Sequence, residues 1–178
     1  DVAVGPRSAA RGGITAVVDY GTDGEPAVTT PEGIDRWRDE VTGESTVDVG
    51  VWGAAVPDNL GGLGQLLDRG VIGVSAVAEG KGVAGAPTLD RAALVSAAEE
   101  VLGRGALFAV DAGVDHLPHL LDVLRRTSGR LHVRSVADHE ELPLLREARQ
   151  EGLAVSSSTN PHMLALVSEL TGGAAAAA

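Results

Sequence analysis

Gly70-Val71-Ile72-Gly73-Val74-Ser75-Ala76-Val77 is a short, β-branched, apolar run near the middle of the chain. It is entered from a helical pattern through Arg69-Gly70 and left through Glu79-Gly80-Lys81-Gly82. A continuous apolar run of this length between glycine turns reads as a strand buried on both faces, the kind found in parallel sheets covered by helices. Its small hydroxyl, Ser75, sits near the C-terminal end of the run, where parallel α/β folds place their chemistry.

The same alternation extends to either side. Toward the N-terminus, a helix-like stretch from Gly5 to Arg11 precedes a strand, Ile14-Thr15-Ala16-Val17-Val18, that ends at Asp19-Tyr20-Gly21. After a Gly-, Asp- and Pro-rich loop over 22–28, Thr30-Pro31-Glu32 supplies an N-cap, a proline at the first helical position and an early carboxylate, opening a helix to about Val41. Val47 to Val56 reads as a strand. Pro57-Asp58-Asn59 then turns into a helix expected through Arg69, which Gly61, Gly62 and Gly64 weaken by about 1 kcal/mol each relative to Ala.

Toward the C-terminus, Asp90 to Leu102 carries apolar residues at helical spacing and meets Gly103, the expected C-cap. Ala106 to Val110 is a strand ending at Asp111, followed by a helix over about 115–127. Leu131-His132-Val133-Arg134 is a more polar strand, Glu140 to Glu151 a helix, and Leu153-Ala154-Val155 begins a strand that ends in Ser156-Ser157-Ser158. A last helix is expected from Pro161 to Leu170, and Ala174 to Ala178 form a tail without a packing pattern. The expected organisation is one unit over residues 1–173 with the alanine tail at 174–178.

Strand-then-helix units in succession predict an α/β parallel sheet with right-handed crossovers. About six units are fewer than the eight of a closed (β/α) barrel, which takes roughly 250 residues. The sheet is therefore either open and doubly wound, or most of a barrel with units missing at the ends. Neither a Gly-x-Gly-x-x-Gly after the first strand nor a phosphate loop is present, which counts against nucleotide folds.

With 44% hydrophobic and 22% charged residues, the 178-residue chain has the composition of a globular domain with a sizeable core. Aromatics at 2% leave that core to Val, Leu, Ile and Ala, which suits layered α/β packing. A net charge of −11 argues against nucleic acid or an anionic membrane as partner. The absence of cysteine excludes disulfides and thiolate metal sites and fits a reducing cytosol. No apolar run approaches about 20 residues and no signal pattern opens the chain, so a cytoplasmic location is expected. Asp1 is not an initiator methionine, which implies a trimmed start or a piece of something longer.

Several colinear blocks carry a resemblance. Ala9-Ala10-Arg11-Gly12-Gly13-Ile14-Thr15-Ala16-Val17-Val18-Asp19 is followed by 26–33, Pro-Ala-Val-Thr-Thr-Pro-Glu-Gly, and by Val47 to Pro57 with Asn59-Leu60. Glu141 to Arg149 and Asn160-Pro161-His162-Met163-Leu164 continue it in the same order. Together they resemble the cyclic amidohydrolases, of the allantoinase, dihydroorotase and hydantoinase types. The resemblance implies a TIM-barrel-like (β/α) domain, incomplete here, of which this chain supplies roughly the second to seventh units. It also implies hydrolysis of a cyclic amide by two divalent ions held by imidazoles, a carboxylate and a carbamylated lysine at strand C-termini.

Residue by residue, the ligands are missing. The family's His-x-His strand would precede Asp1, its bridging lysine falls on Ser75, two further histidines fall on Asp111 and Ser135, and its last aspartate lies beyond Ala178. His162 matches a family histidine that is not a metal ligand. The family's long insertion between Val110 and Arg130 is replaced by one short helix. Arg134, beside Ser135, needs a partner charge, for which Asp111 on the adjacent strand is the candidate.

The remaining candidate catalytic residues are Asp111, His162 and Ser75, with His162 the expected base for a serine nucleophile. Asp19, Ser135 and Ser158 share the same end of the sheet. His116 and His119, three apart on a helix, could share a zinc but read more simply as an exposed pair. His132 reads as a packed, hydrogen-bonded strand residue, and His139, among acidic neighbours, as a helix-start residue in water. The expectation is a degenerate, metal-free barrel that has lost cyclic-amide hydrolysis and serves as a structural or protein-interaction module, with self-association or a protein partner and no cofactor. A small-molecule ligand at the strand C-terminal mouth is also compatible. The alternative is an active zinc hydrolase of a cyclic amide whose ligands lie outside the chain.

Overall fold

The computed structural model describes residues 4–20, 28–79 and 87–161. Helix α1 (Val4–Arg11) leads into β1 (Ala16–Tyr20), α2 (Pro31–Val41) and β2 (Asp48–Ala54). A 3-10 turn, Pro57–Asn59, and α3 (Leu63–Asp68) precede β3 (Val74–Val77), α4 (Arg91–Gly103) and β4 (Leu107–Asp111). The order closes with α5 (Leu117–Arg125), β5 (Arg130–Val133), α6 (Glu141–Gln150) and β6 (Val155–Ser157).

The six strands form one sheet in the order β1-β2-β3-β4-β5-β6, every neighbouring pair parallel. Sequential order without a reversal point is the winding of a barrel, and it removes the doubly wound alternative, which needs a switch in strand order. The sheet curls as a half-barrel. Arg134, just beyond β5, lies with its guanidinium carbon 4.7 Å from the ring centre of Tyr20 at the end of β1. Four strand spacings in a flat sheet would separate β1 from β5 by roughly 19 Å, beyond the reach of one side chain, so the contact requires the arc.

Helices cover the convex face. Val74, Phe108, Val110, Leu131 and Val133 are fully buried there in one cluster with helical residues such as Leu94, Val101, Leu102, Leu120 and Leu121. With one phenylalanine in the chain, small aliphatics set the sheet-to-helix spacing. Thr30 caps α2 by accepting from Gly33 N at 3.1 Å, with Pro31 in the first turn. Asp90 caps α4 by accepting from Ala93 N at 2.8 Å.

Two helix boundaries differ from the sequence expectation. The helix expected over 57–69 is broken: Gly61 takes φ +82°, and only Leu63–Asp68 is α-helical, so the glycines end a turn rather than merely weaken a helix. Helix α4 runs through Gly103 to a cap at Arg104, and the left-handed position falls to Gly105 at φ +73°. His162, the rest of the helix expected over 161–170 and the alanine tail lie outside the described residues.

Candidate functional site

Residues paired in register across a parallel sheet share a face. Ala54, Ser75, Ala109, His132 and Ser156 are register partners strand by strand from β2 to β6, and so form one row across the concave face. Two residues further toward the C-terminal ends, Val77 pairs with Asp111, and Arg134 and Ser158 continue beyond β5 and β6. Asp111, Arg134 and the row through Ser75 therefore converge on the mouth of the half-barrel.

Arg134 fills that mouth. Its Nη2 donates to Asp111 Oδ2 at 2.8 Å and to the Ala76 carbonyl at 3.4 Å. The Arg134 and Asp111 side chains keep only 11% and 22% of their exposure, and Tyr20 covers the other face of the guanidinium. Asp111 Oδ1 and Arg134 Nε are buried without a hydrogen-bond partner among the described residues. The backbone turns sharply immediately afterwards, with Ser135 at φ 53°, a left-handed conformation in a residue other than glycine.

Ser75 is 3% exposed, and its hydroxyl donates to the Gly53 carbonyl at 3.3 Å. It is tied back into the sheet rather than presented as a nucleophile. The serines that do meet a histidine are Ser156 on β6 and Ser158 just beyond it. His132 Nδ1 lies 2.8 Å from Ser156 Oγ, and its Nε2 lies 3.1 Å from Ser158 Oγ. Burial pushes the His132 imidazole below its ordinary titration range, the Arg134 charge adds to the effect, and Asp111 opposes it. His132 is accordingly a neutral ring with one hydroxyl donating to it and one accepting from it.

The sequence expectation of an Asp111–Arg134 pair is met, and so is that of His132 as a hydrogen-bonded strand residue. His162, the expected base, lies outside the described residues; the histidine within reach of serine hydroxyls is His132. The signal for that cluster was present in the period-2 alternation, because Leu131 and Val133 face the helices and so turn His132 and Arg134 inward. His116 precedes α5 with its Nδ1 buried and without a hydrogen-bond partner among the described residues, which departs from the exposed pair expected with His119. His139 is largely exposed beside Asp138, 3.3 Å away.

The mouth does not fit a divalent metal pair. Zinc takes imidazole, thiolate or carboxylate ligands. The positions at issue offer the hydroxyls of Ser75 and Ser135 and one carboxylate already bound to a guanidinium, whose charge repels a second cation. Among the described residues no group of three His, Cys, Asp or Glu side chains is placed to hold a metal ion.

Comparison with known proteins agrees with this geometry. The allantoinase of Streptomyces avermitilis is 32% identical over 191 aligned residues, covering 92% of this chain and 43% of that protein. The L-hydantoinase of Arthrobacter aurescens superimposes with a TM-score of 0.81 at 19% identity, over 95% of this chain and 44% of its own. The chain belongs to the cyclic amidohydrolase family. No protein-family model matches it. An inactive dihydroorotase-like domain of a CAD-like multifunctional protein from Chaetomium thermophilum shares the fold at a TM-score of 0.77 and 14% identity, over 97% of this chain and 50% of that one. The chain spans less than half the length of the curated relatives it matches, and its six strands are the half-barrel portion of the amidohydrolase fold. Among the described residues no helix is long and apolar enough to cross a membrane.

Proposed function

We propose that this chain is a metal-free amidohydrolase barrel segment that has lost cyclic-amide hydrolysis and acts as a structural or protein-interaction module of a larger assembly. The observation that carries this reading is the Arg134–Asp111 pair at the mouth. Cyclic-amide hydrolysis in this family needs a hydroxide made on metal and an electrophile for the amide carbonyl. Here a guanidinium, fixed by a carboxylate, a backbone carbonyl and an aromatic ring, fills the place where both would be built. Ser75, at the position of the bridging lysine, has no amine to carbamylate, and its hydroxyl is committed to Gly53. That the Chaetomium domain, similar in fold, is itself described as inactive supports the reading.

A second reading keeps hydrolysis of allantoin, dihydroorotate or a hydantoin, with ligands supplied from outside this chain. It draws on one observation, that relatives extend well beyond the matched region. Zinc loading followed by metal analysis and turnover assays on the three substrates separates the two. The proposed function expects substoichiometric zinc and no turnover; about two zinc ions per chain with hydrolysis of any of the three would overturn it.

A further inference from the structure

We draw no further inference here: the strongest candidate, the buried carboxylate of Glu141 at the start of α6, whose Oε1 has no hydrogen-bond partner among the described residues, carries nothing because its Oε2 already accepts from the Ala137 and Asp138 backbone N–H groups, which ties it to the β5–α6 loop, and no group of metal-ligating side chains among the described residues joins it.

Discussion

Arg134 gathers a carboxylate, a backbone carbonyl and an aromatic ring around one side chain. Two charges taken partly out of water are stable only together, so removing one strands the other. Arg134→Met should cost about 3 kcal/mol, roughly 6–12 °C in melting temperature, with Arg134→Met/Asp111→Leu recovering much of it. An unchanged melting curve for the single variant would show the pair to be incidental. Ser135 beside it sits at φ 53°. Ser135→Val should lose about 1 kcal/mol in thermal melts while Ser135→Gly loses none, because every Cβ is penalised in that region, a branched one most, and glycine carries none. His132 makes stability depend on pH. Its folded-state pKa lies below the ordinary 6.5, so between the two values the unfolded chain binds more protons. The contribution is complete above about pH 6.5 and declines as pH falls through that window. His132→Gln should flatten the corresponding part of the stability profile between pH 7.5 and 5, and parallel profiles would refute the assignment. These features were unevenly legible. The charge on Arg134 and the candidate on the neighbouring strand could be read from order and alternation, whereas which histidine meets which serine depended on strand register.

At the scale of elements, local chemistry predicted starts better than stops. Thr30-Pro31 and Asp90 announced α2 and α4, because a cap is a short-range hydrogen bond between residues three apart. Asp90→Ala should lower stability by about 1 kcal/mol, read as 2–4 °C in a thermal melt. No change would mean that packing of Leu94, Val101 and Leu102 alone holds the helix. The misread boundaries involve glycine, since Gly103 and Gly105 are both admissible ends and tertiary packing selects between them. Asn59 makes the same point. Its amide donates to the Thr29 and Ala54 carbonyls at 2.9 and 2.8 Å, and its carbonyl accepts from Val56 N at 2.9 Å. One side chain thereby fixes the exit of β2 against the entry to α2, a long-range role that composition does not display.

For the whole molecule, an arc of six strands has consequences beyond the mouth. Strand β1 is an edge of the described sheet, and Val18 and Tyr20 on it remain 48% and 41% exposed. Unpaired edges with apolar neighbours favour association. The chain should show concentration-dependent association in sedimentation velocity, and Val18→Lys should shift it toward the monomer; a monomer at all concentrations would count against an interaction module. The sequence by itself determined the α/β class, the parallel strands and the amidohydrolase kinship, because hydrophobic periodicity, caps and colinear blocks are properties of neighbouring residues. It also carried, through the family resemblance, the expectation that serine and aspartate stand where ligands would be. Only the tertiary structure decided that the sheet winds in simple order rather than reversing, and that Arg134 meets Asp111 under Tyr20. Each of these depends on curvature and register, which bring together residues far apart in the chain and which no local pattern encodes.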